Sequence, residues 1–141
     1  MSDLVIDACV AIDWFIPSQP GEIYSVSLAE LVYSGKIRVH VPVNFSVEVC
    51  GQLLRNHRRA PETYTTNWLS HSVQALDAMR ISTHVIGLSF KELTDVATAY
   101  NLSGYDTAYF QLARLLELPI ASRDRGILSA CRQWDVLRWS P

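Results

Sequence analysis

The chain has 141 residues, of which 49% are hydrophobic and 18% charged, and its formal net charge at pH 7 is −2. This length suits one domain around a single core, so residues 1–141 are predicted to form one domain, and the apolar content excludes a disordered chain. A net charge so near zero excludes binding of nucleic acid through an overall basic surface, although an enzyme with a local basic rim stays possible.

Alternating strands and helices are predicted along the first half of the chain. Short apolar segments that end at turn residues or proline indicate buried strands, whereas apolar residues three and four apart indicate helices. In chain order, the predicted elements of this half are a strand at Leu4–Ile6, a helix at Ala8–Phe15, a helix at Ile23–Tyr33 opened by Gly21 and Glu22, a strand at Arg38–Val41, a helix at Phe45–His57, and a helix that starts at Pro61 and reaches Arg80.

The second half of the chain continues the alternation. Its predicted elements are a strand at His84–Ile86, helices at Ser89–Tyr100 and Tyr105–Leu116, a strand at Pro119–Ala121, a helix at Arg125–Arg132 and a short strand at Val136–Leu137. Short apolar strands that alternate with helices are typical of an α/β fold whose mainly parallel central sheet is covered on both faces. In such sheets, the functional site lies outside the carboxyl ends of the strands.

Two aspartates follow predicted strands, at the edge where chemistry is expected. Asp7 comes directly after the first strand, and Asp124 lies shortly after the Pro119–Ala121 strand. Each also stands where a helix begins, and aspartate is among the best residues for capping a helix N-terminus. Both roles stay open for Asp124, whereas Asp7 is predicted to cap its helix and also to belong to an acidic cluster, since the two roles are compatible. Asp13 lies six residues after Asp7, about 240° around the helix, and is predicted to be on the surface.

Two further carboxylates lie on helices, beside the apolar stripe instead of opposite it. Glu48 borders the stripe of its helix, and Asp106, three residues after the potential capping residue Ser103, borders another. The first stripe consists of Phe45, Val49, Cys50, Leu53 and Leu54, and the second of Tyr105, Ala108, Tyr109, Leu112, Ala113 and Leu116. A charge in such a position is partly desolvated, which distinguishes these two carboxylates from solvated ones such as Glu62.

The four carboxylates would form a metal site if they converge. Two like charges roughly 4 Å apart repel by about 4 kcal/mol at an effective dielectric constant of about 20, so a pocket of carboxylates raises its own pKa values or recruits a cation. Oxygen ligands without cysteine or clustered histidine favour Mg²⁺ or Mn²⁺. Such a site suits phosphodiester hydrolysis, because the metal neutralises a phosphate oxygen and lowers the pKa of a bound water.

Arginines near these positions predict local contacts with phosphate, because planar guanidinium groups match phosphate geometry. Arg123 and Arg125 flank Asp124. Three more cluster toward the end of the third predicted helix, namely Arg55, Arg58 and Arg59. Arginine near a helix C-terminus also stabilises the helix dipole, so a structural role stays open for the last two.

The cysteines and the hydropathy pattern predict a cytoplasmic protein. Cys9, Cys50 and Cys131 are odd in number, widely spaced and in apolar contexts, which favours free thiols in a reducing compartment over disulfides or a zinc site. No segment approaches the roughly 18 apolar residues of a membrane span, and no basic segment precedes the first strand, so we expect neither membrane association nor a signal peptide.

Three segments of the chain resemble the PIN domain, and most of all the VapC-like ribonuclease toxins of prokaryotic toxin–antitoxin pairs. They are LVIDACVAIDWF, PVNFSVEVCGQLLR and LSGYDTAYFQLARLLELPIASRDRGIL, and the resemblance covers nearly the whole chain in order. The acidic positions of the family are matched by Asp7, Glu48, Asp106 and Asp124. Cys9 replaces a usual serine and Ser122 a usual threonine, and we expect both differences to be tolerated because the Ser122 hydroxyl can still bond a carboxylate or water.

This resemblance implies a three-layer α/β/α sandwich and a Mg²⁺- or Mn²⁺-dependent endoribonuclease that cuts RNA, often a tRNA or rRNA. From the chemistry of acidic sites we expect Asp7, Asp106 and Asp124 to hold the metal, directly or through water, and Glu48 to complete the site and orient the attacking water. Ser122 would support the site, and Arg123 and Arg125 would bind the RNA backbone. The implied partners are a small antitoxin that blocks the cleft and a second copy of the chain in a homodimer.

Other functions require residues that differ from these. A haloacid-dehalogenase-type phosphatase needs a second aspartate two residues after Asp7, where this chain has Cys9. A receiver domain needs a lysine after a late strand, and the two lysines of this chain, Lys36 and Lys91, lie elsewhere. A non-catalytic module that binds RNA or a protein stays open as the alternative. It predicts that metal is irrelevant and that a substitution of Asp7 leaves binding intact or makes it tighter.

Overall fold

The structure is a computed structural model that describes residues 2–17 and 22–141, without the side chain of Glu22. Its strands are β1 (Ser2–Ile6), β2 (Ile37–Pro42), β3 (Ser82–His84) and β4 (Ile120–Ala121). All pairings are parallel, and the strands form one sheet in the order β3-β2-β1-β4. The predicted α/β fold with a parallel central sheet is therefore confirmed.

Seven helices surround the sheet within the described ranges. They are α1 (Ala8–Phe15), α2 (Glu22–Tyr33), α3 (Asn44–Arg59), α4 (Thr66–Ala78), α5 (Phe90–Tyr100), α6 (Gly104–Leu116) and α7 (Arg125–Gln133). None of the described helices is both long enough and apolar enough to cross a membrane. Gly21, which was predicted to help open the second helix, lies outside the described residues.

The helices form two groups that cover the sheet. In one group, α1 contacts α2 and α3, and α3 contacts α4; in the other, α6 packs on β1 and β2 and contacts α5 and α7. Between them, β1 is buried on both faces, since Leu4, Val5 and Ile6 are at most 1% exposed. Burial on both faces explains why this strand has no polar alternation, and the whole is a three-layer α/β/α sandwich as predicted.

Three elements differ from the sequence prediction, while the other described elements begin and end within two residues of it. The fourth helix starts at Thr66 and not at Pro61, because Thr65 caps it by accepting a hydrogen bond from the Trp68 amide (3.1 Å), and it ends at Ala78. The third strand covers Ser82–His84, where it pairs with the end of β2. The predicted last strand is reduced to a single bridge between Ile120 and Arg138.

The strand order creates a topological switch point beside β1. From β1 the chain proceeds to β2 and β3 on one side, and it returns with β4 on the other side. Ligands of open parallel sheets bind in the crevice outside the carboxyl ends of the strands at such a point. Asp7 directly follows β1, and Asp124 follows β4 by three residues, so both lie at this crevice.

Candidate active site

One cavity of about 440 Å³ brings together the four carboxylates that the sequence singles out. Asp7 enters from the end of β1, Glu48 from the second turn of α3, Asp106 from the first turn of α6, and Asp124 from the start of α7. Four separate elements therefore converge on one acidic pocket at the switch point. We name this pocket the carboxylate cavity.

Asp7 is held by side chains and does not cap α1. It is 4% exposed, and its Oδ2 accepts hydrogen bonds from the Ser122 hydroxyl (2.8 Å) and the Cys9 thiol (3.1 Å). Although Asp7 occupies the N-cap position, its carboxylate makes no capping hydrogen bond, so the capping role predicted for it is wrong. Burial, and then the charge of Asp7, raise the pKa of the Cys9 thiol, which keeps the thiol protonated as a donor.

Ser122 links the first and last carboxylates of the cavity. Its fully buried hydroxyl donates to Asp7 and accepts a hydrogen bond from the backbone amide of Asp124 (3.0 Å). The Asp124 Oδ1 accepts from the amide of Ile127 (3.0 Å), so Asp124 caps α7 and also lines the cavity. Gly126 allows this cap, since a Cβ there would lie 3.0 Å from the Asp124 Oδ1.

Glu48 is fixed by two short hydrogen bonds. The Tyr109 hydroxyl and the Asn44 Nδ2 each donate to its Oε2 at 2.6 Å, so Oε1 keeps its capacity as an acceptor. Tyr109 is fully buried, and its burial followed by its bond to Glu48 raises the pKa of the phenol. The phenol therefore stays a donor, and the bond from α6 to α3 holds Glu48 in the cavity.

Electrostatic repulsion links the carboxylates. Burial raises the pKa of Asp106 to about 6, and the charges of Asp124 and Asp7 add to this effect. Burial is also the main cause of the raised pKa of Asp7, to which the charges of Asp124 and Glu48 contribute. The neighbouring charges thus make ionisation of Asp7 and Asp106 more costly, which is the electrostatic condition under which a pocket gains from a bound cation.

The raised pKa of Asp106 predicts how the stability of the metal-free protein depends on pH. The folded state keeps a proton on Asp106 up to about pH 6, whereas the unfolded chain releases it near the ordinary value of 3.8. Because the folded state binds more protons in this window, the free energy of unfolding should fall as pH rises from 3.8 to about 6, with no further loss from this group at higher pH. Denaturant melts in EDTA would measure this slope, and Asp106→Asn should make it shallower, leaving the part that comes from the raised pKa of Asp7. An unchanged slope in that variant would contradict the prediction.

The donor set of the cavity fits a hard divalent cation in kind. The three predicted metal ligands, Asp7, Asp106 and Asp124, are all carboxylates, and so is Glu48 beside them. Mg²⁺ in proteins commonly uses one or two carboxylates and keeps several waters. As the side chains stand, no three histidine, cysteine, aspartate or glutamate residues of the described part are grouped as a ready metal site. The carboxylate cavity therefore suits a cation because its ligands are oxygen atoms and repel one another, and not because they are already arranged around a metal position.

Asp13 is buried, which corrects its predicted surface position. It is 2% exposed, accepts hydrogen bonds from Arg123 Nε and Nη2 (2.5 and 2.7 Å), and accepts another from the Ser25 hydroxyl (2.6 Å). The segment ACVAIDWF is apolar on nearly every side, so the angle from Asp7 could not identify a solvent face. Its ion pair with Arg123 instead joins α1 to the segment that carries Ser122 and Asp124. The role of Arg123 in RNA binding stays a prediction beside this structural one.

The wall of the cavity also includes an arginine with a predicted phosphate contact and a tyrosine that was predicted to lie in an apolar stripe. Arg55 lines the carboxylate cavity with its exposed side chain, and its Nη2 donates to the Gln52 Oε1 (2.7 Å). It lies seven residues after Glu48, almost two full helical turns, and this spacing could have placed both on one face. Tyr105 also lines the cavity and is 64% exposed, so its predicted place in the inner stripe of α6 is wrong. Arg125, the other predicted RNA contact, is exposed at the start of α7.

Comparisons with known proteins support the fold only. No family model and no curated protein matches the chain. The structure is similar to the crystal structure of PAE2754 from Pyrobaculum aerophilum, with 15% identity, a TM-score of 0.65, and coverage of 92% of this chain and 84% of that one. It is also similar to a domain of a functionally unknown protein from Methanocaldococcus jannaschii, with 15% identity, a TM-score of 0.52, and coverage of 100% of this chain and 91% of that one. At such identities, the shared feature is the α/β architecture.

Proposed function

We propose that this protein is a metal-dependent endoribonuclease of the PIN type, which hydrolyses phosphodiester bonds in RNA. The observation that carries the proposal is the convergence of Asp7, Glu48, Asp106 and Asp124 on one cavity at the switch point of a parallel sheet. An acidic pocket alone would repel RNA, so the proposal requires a cation for binding as well as for catalysis. The resemblance of three sequence segments to the PIN domain supports the same activity.

The proposed ligands of Mg²⁺ or Mn²⁺ are Asp7, Asp106 and Asp124, directly or through water. When bound, the metal would supply charge neutralisation at the scissile phosphate and a bound water of lowered pKa. The carboxylate of Asp106 is half-protonated near pH 6, so it is ready to ligate at neutral pH and above. Ser122 fixes the orientation of Asp7 and the backbone of Asp124 by the hydrogen bonds described above.

Glu48 is the proposed group that orients the attacking water. Tyr109 and Asn44 both bond its Oε2, which restricts the carboxylate to one orientation and keeps Oε1 for the water. The proposed contacts with the RNA backbone come from arginines around the cavity. Arg55 lies in its wall, and Arg123 and Arg125 flank Asp124. Arg55 and Arg125 would offset the negative charge of the pocket and guide the phosphates toward it, whereas the charge of Arg123 is paired with Asp13, so Arg123 would contribute a direct contact to the backbone.

The biological setting is proposed from the sequence resemblance. A VapC-like protein would be the toxin of a type II toxin–antitoxin pair in the cytoplasm, with a small antitoxin as partner and a homodimer as its assembly. Its substrate would be a tRNA or rRNA.

The test is cleavage of a mixed RNA pool by the purified protein with Mg²⁺, with Mn²⁺ or with EDTA. Asp106→Asn removes one proposed ligand, and Glu62→Gln is the matched control because Glu62 is exposed and does not line the cavity. We expect cleavage by the wild type and by Glu62→Gln that requires metal, and none by a folded Asp106→Asn. Wild-type protein that binds RNA yet cuts nothing under any metal would overturn the proposal in favour of a non-catalytic binding module.

A further inference from the structure

A second, apolar cavity adjoins the carboxylate cavity. It has a volume of about 410 Å³ and lies where the end of β2, the first turn of α3, the segment after β3, α5 and the start of α6 meet. The residues that define its walls are Pro42, Val43, Asn44, Ile86, Leu93 and Tyr105. We name it the side cavity, and none of the roles assigned above uses it.

Two residues join the side cavity to the carboxylate cavity. Tyr105 lines both, and it directly precedes Asp106 in the chain. Asn44 lines the side cavity, and its Nδ2 donates to the Glu48 Oε2 in the carboxylate cavity (2.6 Å). A substrate that places a phosphate among the carboxylates therefore has the side cavity next to it, on the side of α3 and α6.

The walls of the side cavity match the chemistry of a nucleobase. Apart from Asn44 and the hydroxyl of Tyr105, its defining side chains are apolar, and none is cationic, so the cavity suits neither a phosphate nor a metal ion. The Tyr105 side chain is 64% exposed, which leaves its ring accessible for stacking on a base. Because the Asn44 amide nitrogen bonds Glu48, its Oδ1 can accept a hydrogen bond from an amino or imino group of the base.

The side cavity, at about 410 Å³, is large enough to hold a nucleobase. Pockets for small ligands range from about 300 to 1,000 Å³, and a base needs only the lower part of this range. We propose that the side cavity is a nucleobase subsite, which binds the base of a nucleotide next to the scissile phosphate between Tyr105 and the apolar wall. This inference rests on the proposed function, because it assigns the side cavity to the RNA that the carboxylates would cut.

The test compares cleavage profiles of short RNAs in which the nucleotides on either side of the cut are varied. Wild-type protein should prefer some bases at one of these positions. Tyr105→Ala should lower kcat/KM for the preferred base by about tenfold or more, as stacking on an aromatic ring predicts, and should flatten the preference. Tyr105→Phe keeps the ring and should keep the profile. Tyr33→Ala is the matched control, because Tyr33 is 68% exposed at the end of α2 and lines neither cavity.

Two results separate failure of this inference from failure of the proposed function. If the wild type cuts RNA and Tyr105→Ala cuts it with an unchanged rate and base profile, the subsite is wrong while the nuclease stands. If the wild type cuts nothing, the readout becomes the methyl NMR signals of Ile86 and Leu93 during titration with the four ribonucleosides. Shifts of these signals that Tyr105→Ala weakens would support the base site without the nuclease. If these signals do not shift with nucleosides but do shift with protein concentration, the base site is wrong and the side cavity is an interface between copies of the chain.

Discussion

Replacement of Asp7 by asparagine should abolish RNA cleavage and, in the absence of metal, make the protein more resistant to unfolding at neutral pH. Asp7 is 4% exposed, and its burial and the charges of Asp124 and Glu48 raise its pKa. The folded state therefore holds the Asp7 carboxylate at a free-energy cost once it is ionised. An asparagine oxygen can accept the hydrogen bonds from Ser122 and Cys9, so the variant should lose the charge without losing these contacts.

The activity of Asp7→Asn should fall by about 100-fold or more, because even groups that only orient metal ligands cost 10- to 100-fold when removed. The measurements are RNA cleavage with Mn²⁺ and denaturant unfolding in EDTA, both beside Asp77→Asn. Asp77 is an exposed aspartate of α4 outside the carboxylate cavity, so that variant should change neither quantity. A variant at Asp7 that is inert and also less stable would assign Asp7 a structural role, and one that cleaves at the wild-type rate would refute the proposed site.

The opposite directions of the two effects are characteristic of a functional pocket. Replacing a residue that serves only the fold destabilises the protein. Replacing a residue whose charge destabilises the fold but is needed for catalysis stabilises the protein while it abolishes the activity. Excess Mg²⁺ should reverse the order of stability, because a ligand that binds only the folded state stabilises it more the tighter it binds, and the variant should bind Mg²⁺ more weakly. Comparing the two proteins with and without metal therefore tests the cation and the fold in one experiment.

Local signals in the sequence identified most of the fold because they are physically strong in this chain. A strand such as β1, buried on both faces, must be apolar throughout, and helix starts such as Ser89 and Ser103 carry capping side chains that accept from Glu92 and Asp106 amides. At the fourth helix the prediction relied on Pro61 alone, whereas the helix starts where the Thr65 side chain accepts a hydrogen bond from the Trp68 amide.

Contacts between distant segments limited what the sequence could predict about the site. The position of the four carboxylates followed from strand ends and helix stripes, but the bond from Tyr109 to Glu48 joins residues 61 positions apart. Tyr105 shows the limit of periodicity, since a residue in the first turn of a helix can match the apolar stripe and still project beyond the core. The side cavity depends on five elements meeting in space, and no local pattern in the chain encodes it.

The ion pair between Asp13 and Arg123 should produce the largest stability effects outside the core. Asp13 is 2% exposed in this pair, whereas the Arg123 side chain is 28% exposed. Arg123→Ala removes the two charge-assisted bonds that neutralise a buried carboxylate, and breaking such a pair costs about 3–5 kcal/mol of the free energy of unfolding. Asp13→Asn should cost less, because the guanidinium that it releases can turn toward water.

Denaturant unfolding of both single variants and the double variant at neutral pH measures this asymmetry as a double-mutant cycle. The double variant should lose less free energy of unfolding than the two single variants lose together, because it contains neither of the two charges and so leaves no unpaired charge behind. Asp95→Asn is the matched control, because Asp95 pairs with Lys91 on the exposed face of α5, where an ion pair contributes at most about 1 kcal/mol. Additive losses would show that the pair is not coupled. A smaller loss for Arg123→Ala than for Asp13→Asn would show that burial of the carboxylate does not dominate.

The pair joins α1 to the segment of Ser122 and Asp124, so its loss should also lower metal-dependent cleavage through the position of those two residues.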